Sequence, residues 1–531
     1  MSDLRTVPAL LENAARGGGT VSILGVGRED ASAGALWTRS ERAAACFLDA
    51  VGPGGSVALL METSLDCLVC LLGAWRSGLT VLSLPYPSRT TPTDIHRDEL
   101  LEITRLAGAG LVVLPDKFGG LGIDGVVRTA SFRQCSAYPW RVDIAEAGEF
   151  VQFSSGSTGR AKGVRLSSKA IAANVTAMLD HMAPNYEAAV GCSWLPLSHD
   201  MGLIGTFLTI FASMGAPWHG RRLALMPPER MIARPSRWLQ ACSEIGATVA
   251  CAPNFALDLV VAHPPAGLDL RPLKVLVVGS ELIMPRTLRR FAEALAPAGF
   301  DEMAFCPAYG MAETTLAVTM VRPYERWQSF PGAGSNVVSC GAPLGGVEVR
   351  APAEAGEAGP IGVRSASLLT GYLGREASPL AEGWLTTNDM GFLRDGQLFV
   401  VGRADDVLVI GGRKVFPDVL EAAAGRDETV RPGNCAAIPD GAGGYLLVAE
   451  RRRASRHADL SEAGRRIRRE ILMSSGLAPS AVIIVSPGSI PRTASGKVQR
   501  RRLRELHSQG ALSVEVEVQF RAPTIAAVST M

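Results

Sequence analysis

The chain has 531 residues, too many for one ordinary domain, so two or three folding units are expected. Hydrophobic residues make up 47% of it, enough for sizeable cores, and a net charge of +2 gives no global pull toward nucleic acid or membrane. The opening MSDLRTVPALLENAARGGG lacks a basic segment leading into an apolar run, and the most apolar window, 57–75, is broken by Glu62 and Asp66. Neither a signal peptide nor a spanning helix is predicted, and a cytoplasmic protein is expected, with no membrane and no nucleic-acid partner.

In chain order, short apolar runs bounded by Gly, Pro or Asp recur at 57–61, 80–85, 110–114, 248–252 and 274–278. Amphipathic stretches of helical length separate them, 286–295 among them. This alternation predicts an α/β fold with largely buried sheets. Cys67 and Cys70 form a CxxC at helical spacing inside the apolar run 65–75, and with no second pair nearby they read as core residues. Beyond Arg403 the chain turns Arg-rich and shorter in period. A strand at 407–410, a Gly411-Gly412 turn, and a helix opening with Pro417 and closing before Gly425 are predicted there. The division expected is a core domain of residues 1–402 and a small α+β domain of residues 403–531, its patterning weak after Glu505.

Lys occurs only at 117, 162, 169, 274, 414 and 497 among 53 basic residues. A chain that writes Arg almost everywhere has specific uses for a compact point charge. One of the six closes a loop, Ser154-Ser155-Gly156-Ser157-Thr158-Gly159-Arg160-Ala161-Lys162-Gly163, directly after the strand-like 149–153. Glycines let backbone N–H groups approach an anion closely, hydroxyls add donors, and Lys162 adds charge. The loop is not a Walker A sequence, since Ala161 stands where that pattern needs Gly. Alone, such a loop is ordinarily a plain turn.

Six further stretches follow it in order. They are Trp194-Leu195-Pro196-Leu197-Ser198-His199-Asp200-Met201-Gly202-Leu203-Ile204-Gly205, Gly279-Ser280-Glu281, and Ala308-Tyr309-Gly310-Met311-Ala312-Glu313-Thr314. Then come Gly383-Trp384-Leu385-Thr386-Thr387-Asn388-Asp389, Gly402-Arg403-Ala404-Asp405-Asp406, and Pro491-Arg492-Thr493-Ala494-Ser495-Gly496-Lys497. Singly, each has a bland reading as a cap, a turn or a core aromatic; seven in sequence do not. The series resembles the adenylate-forming superfamily, in wording closest to fatty acyl-AMP ligases.

That resemblance implies a large α/β domain with a mobile C-terminal domain, and ATP, Mg²⁺ and CoA as cofactors. It implies nucleotide contacts from Ser154, Ser155, Gly156, Ser157, Thr158, Gly159, Lys162, Gly279, Ser280, Glu281, Ala308, Tyr309, Gly310, Met311, Ala312, Asp389 and Arg403. Tyr309 is expected to stack on adenine, and Asp389 with Arg403 to hold the ribose. Lys497, Glu313, Thr158 and His199 are the expected catalytic residues, with Glu313 and Thr158 holding the metal. His199, Asp200, Met201 and Gly202 are expected in the acyl pocket, Asp405 at the hinge, and Gly411, Gly412, Arg413 and Lys414 along a CoA tunnel.

Four positions depart from the family's wording: Ala161 for Pro, Asn388 for Gly, Pro360 for Glu, and Lys414 for Asn or Arg. Fatty acyl-AMP ligases also carry a long insertion after the motif of Glu313 that restrains the C-domain, whereas only residues 319–339 stand there here. The expectation is therefore an acyl-CoA synthetase acting on a hydrophobic, even bulky, carboxylic acid. The alternatives are an acyl-AMP ligase loading a carrier protein, an enzyme that only thioesterifies a supplied acyl-adenylate, and a non-catalytic nucleotide or acyl binder.

Overall fold

The computed structural model describes residues 5–87, 93–119, 121–123, 126–139, 148–155, 161–182, 188–261, 265–332, 335–353, 358–410, 413–492 and 498–520. Two large sheets dominate. In the first, Ser56–Leu60 pairs in parallel with Thr80–Leu84 and Leu111–Leu114, and Glu149–Ser155 extends it in parallel beyond Thr80–Leu84. Ala161–Ser167 and the two-residue strand Gly371–Tyr372 then close that side antiparallel. In the second, Thr20–Leu24, Arg222–Leu225, Val190–Ser193, Val249–Pro253, Val275–Gly279 and Phe305–Gly310 run parallel, with antiparallel strands at both edges.

The near-continuous apolar lettering of these strands follows from their position, since helices cover parallel sheets on both faces. The helix Leu65–Arg76 is one such cover, and it buries Cys67 and Cys70 completely. Burial pushes both thiols up, as a packing role requires.

A third, antiparallel sheet carries Gly359–Ser365, Trp384–Arg394 and Gln397–Arg403. The C-terminal part builds its own sheet from Val430–Pro439, Tyr445–Arg451, Ala481–Val485 and Val514–Gln519, over the helices Pro417–Ala424 and Leu460–Ser475. Val514–Gln519 lies in the weakly patterned stretch after Glu505, and it is an edge strand whose residues are only half covered or exposed.

The connection 319–339 is not bare. Ser329–Gly332 and Ser335–Val338 form a hairpin, and its Val337 joins Phe392, Phe399, Val401 and Phe416 in one apolar cluster, with Phe330 and Val407 at the margin. Phe392 and Phe399 stack with ring centroids 4.9 Å apart. Gly402 lies beneath Phe416 at φ 148°, where a Cβ would come within 2.4 Å of the ring. The short segment therefore shares an apolar cluster with Phe416 of the C-terminal part, which its length alone does not predict.

Phe399 is 1% exposed, so Phe399→Ala removes most of a buried ring. A loss of roughly 3–5 kcal/mol is expected for such a truncation, read as a lower urea midpoint.

Candidate active site

The carboxyl ends of the parallel strands of both sheets open into one cavity of about 2360 Å³. Gly279-Ser280-Glu281 follows the strand Val275–Gly279, and Ser280 takes a left-handed turn at φ 68°. Its hydroxyl lies 3.1 Å from the Met201 sulfur, and Glu281 accepts from the Phe255 backbone N–H at 2.5 Å. Ala308, Tyr309, Gly310, Met311, Ala312 and Glu313 all line the cavity.

Asp389 and Arg403 face each other across adjacent strands, with Arg403 Nε 3.3 Å from Asp389 Oδ1. The Tyr309 hydroxyl donates to Asp389 Oδ2 at 2.9 Å. Burial, and then the Asp389 charge, push the phenol well up, so Tyr309 remains a donor. Tyr309, Asp389 and Arg403 thus meet at one wall, though 80 residues separate the first two. Asn388, one of the departures, donates to Asp405.

Lys162, Glu313 and Tyr372 form a second group. Lys162 Nζ is 3.2 Å from Glu313 Oε1, and the Tyr372 hydroxyl donates to the same oxygen at 3.2 Å. Burial, and then the Glu313 charge, push the Tyr372 phenol up. No group of three or more His, Cys, Asp or Glu able to hold a metal occurs among the described residues. One carboxylate beside a lysine still fits Mg²⁺, which keeps waters and takes its other ligands from phosphate oxygens. Gln152 also lines the cavity, its Nε2 donating to Ser198 O at 2.6 Å. Its buried Oε1 has no hydrogen-bond partner among the described residues.

The segment Met201–Leu208 is a π-helix, a form frequent at functional sites. Thr206 and Thr209 hydroxyls donate to the carbonyls five residues back, at 3.0 and 2.7 Å. Asp200 caps its first N–H at 2.7 Å and sits 2.8 Å from His199 Nδ1. His199, Asp200 and Met201 line the cavity, but Gly202 does not. A Cβ at Gly202 would lie 2.1 Å from the Pro196 carbonyl oxygen, so this glycine serves a close backbone approach. Gly205 of the same helix lines the cavity as well. Met178, Met182, Leu316 and Met320 join it as apolar lining. Isolated methionines carry no motif, and only topology brings these together.

Pro491, Arg492, Val498 and Gln499 bring the C-terminal part into the same lining. Gly156, Ser157, Thr158, Gly159, Gly411, Gly412 and Lys497 lie outside the described residues, as do the side chains of Ser154, Ser155, Arg413 and Lys414.

The family model described as AMP-binding enzyme matches residues 10–373. The chain belongs to the AMP-binding enzyme family. It is an adenylate-forming ligase. Among relatives, it is 31% identical to long-chain-fatty-acid–AMP ligase FadD26 of Mycobacterium tuberculosis, over 88% of this chain and 89% of that one. It is 29% identical to a 4-hydroxyphenylalkanoate adenylyltransferase of the same organism, over 84% and 81%. A solved structure from a study of fatty acyl-adenylate ligases of E. coli and L. pneumophila superposes with a TM-score of 0.86 at 26% identity, covering 95% of this chain and 98% of that one. The O-succinylbenzoate coenzyme A synthetase of Bacillus subtilis shares the fold at a TM-score of 0.73 and 18% identity, covering 93% and 98%. No described helix is long and apolar enough to cross a membrane.

Beside the methionine lining, His181 Nε2 donates to the Met320 carbonyl at 3.1 Å. Burial pushes its pKa from 6.5 down to about 4. Between those values the unfolded chain binds a proton that the folded chain refuses, so stability rises with pH and is lost on acidification. His181→Gln is expected to flatten that part of the stability profile between pH 6.5 and 4. The wild-type contribution is at most about 3 kcal/mol, at roughly 1.4 kcal/mol per pH unit, read by urea unfolding at several pH values.

Proposed function

We propose that this ligase joins ATP to a hydrophobic carboxylic acid and hands the resulting acyl-adenylate to the thiol of a carrier protein supplied in trans. The observation that carries this is the single cavity. It holds the Tyr309–Asp389–Arg403 wall, the Lys162–Glu313 pair and an apolar lining of Met178, Met182, Met201, Leu316 and Met320. A polar nucleotide and an apolar chain need those two surfaces side by side.

The carboxylate oxygen attacks the α-phosphorus while the bond to pyrophosphate breaks, so two anions meet and charge grows on the phosphoryl oxygens. Positioning and positive charge supply most of the catalysis. Tyr309 packs against adenine, Asp389 and Arg403 hold the ribose hydroxyls, and Lys162 meets phosphate. Lys497 bridges the carboxylate and the α-phosphate. Mg²⁺, when bound at Glu313, offsets phosphate charge. The buried amide of Gln152 offers an additional acceptor toward the cavity.

Two observations support a carrier over free CoA as acceptor. The relative at 31% identity is named an AMP ligase, and the solved structure at 26% identity comes from a study of fatty acyl-adenylate ligases, whereas the coenzyme A synthetase shares only the fold. The hairpin cluster around Phe416, with the Asn388–Asp405 bond, ties the C-terminal part where it stands. The brevity of the same hairpin favours a second reading, in which the hinge at Asp405 swings freely and CoA is the acceptor. Acid mixtures with ATP and Mg²⁺, offered CoA or a phosphopantetheine-bearing carrier and read by mass spectrometry, separate the two. Thioester on CoA at the carrier's rate sinks the first reading.

Lys497→Ala is expected to lose roughly 10²–10³-fold in acyl-adenylate formation, the range for removing a key charge-stabilising donor. Transfer from synthetic acyl-adenylate should survive. Wild-type protein inert with acid and ATP but active with synthetic acyl-adenylate would overturn the two-step reading.

A further inference from the structure

Tyr372 belongs to none of the seven motifs, yet it touches two of them. It stands on the two-residue strand Gly371–Tyr372, opposite Val164 on the strand that carries Lys162. The backbone around it is fastened on both sides. Leu373 N donates to Gly163 O at 2.8 Å and Thr370 N to Arg165 O at 2.9 Å, while Leu369 N donates to the Glu313 carbonyl at 2.9 Å. Residues 369–373 therefore stitch the lysine strand to the glutamate segment, and Tyr372 projects at the seam. Its hydroxyl donates to Glu313 Oε1, and its ring lies 3.7 Å from Lys162 Nζ.

Lys162 and Glu313 are also each other's counter-ion, at 3.2 Å. That creates a conflict if both are to serve a metal–nucleotide complex. The carboxylate must turn to the cation and the ammonium to phosphate, so each loses the partner that held it. A ring face resolves half of this, because it attracts the ammonium without a net charge that phosphate must displace. A phenol donor resolves the other half by fixing one carboxylate oxygen, which leaves the carboxylate aimed.

We propose that Tyr372 is a positioning residue for the metal–nucleotide site, its hydroxyl orienting Glu313 and its ring seating Lys162. The proposal rests on the reading of Lys162 and Glu313 as phosphate and metal ligands.

The two functions separate by substitution. Tyr372→Phe keeps the ring and loses the hydroxyl, whereas Tyr372→Leu loses both. The probe is α,β-methylene-ATP, which cannot be adenylated, titrated calorimetrically into the full chain with Mn²⁺ or with EDTA. For Tyr372→Phe, affinity in EDTA should stay within about twofold of wild type, while the gain on adding Mn²⁺ falls about tenfold or more, as for other groups that orient a metal ligand. For Tyr372→Leu, affinity in EDTA should also fall, by about twofold to thirtyfold, the span of cation–π energies.

A merely structural role would lower the thermal midpoint and weaken both titrations together, without this split. Tyr372→Phe matching wild type in Mn²⁺ overturns the orienting function, and Tyr372→Leu matching Tyr372→Phe in EDTA overturns the seating function. Wild-type protein that binds the nucleotide, but equally with and without Mn²⁺, overturns the metal half while leaving the cavity a nucleotide site. No binding by wild type overturns the proposal together with the reading beneath it.

Discussion

Parallel strands cannot be joined by tight turns, so each crossover returns through a longer segment and the strands finish on one side. In both large sheets here, the residues that follow Thr80–Leu84, Val249–Pro253 and Val275–Gly279 collect at those carboxyl ends. Open α/β sheets place ligands there as a rule. The site follows from this constraint, since residues separated by hundreds of positions need only end a strand to become neighbours. The third sheet adds Asp389 and Arg403 by a different device, a cross-strand pair whose register puts both on one face.

Charge within the cavity is arranged in local pairs. Arg403 faces Asp389, Lys162 faces Glu313, and Arg290 lies 3.4 Å from Asp258. Unpaired like charges around one hollow would repel and raise the cost of closing it. Paired charges wait at little cost, and a polyanionic ligand with its own cation can exchange partners with them.

Much of this was legible before any coordinates. The strand runs at 57–61, 80–85 and 274–278 stood out because strands covered on both faces carry unbroken apolar lettering. Val514–Gln519 did not, because an edge strand alternates Val with Glu and lies beside a helix of arginines. Within the site, motif reading picked out Tyr309 and Glu313 from one stretch and Asp389 from another, and all three line one cavity. Gly202 shows the limit of that method, since belonging to a motif does not say which way a residue faces. Met178, Met182 and Tyr372 lay beyond it altogether. Their chemistry is ordinary taken singly, and their meeting depends on helix phase and strand pairing across some two hundred positions.

The cluster of Phe416 with Phe399, Phe392 and Val337 has a thermal consequence. Any motion that draws Phe416 away wets apolar surface, and hydration of such surface raises the heat capacity. The cluster shared by the hairpin and the C-terminal part therefore has a curved dependence on temperature. Near ambient conditions its driving force is almost entirely entropic, and it weakens on cooling. Cooling therefore weakens the apolar part of this seam, whereas the charge pairs lining the cavity depend on temperature through the hydration of their charges.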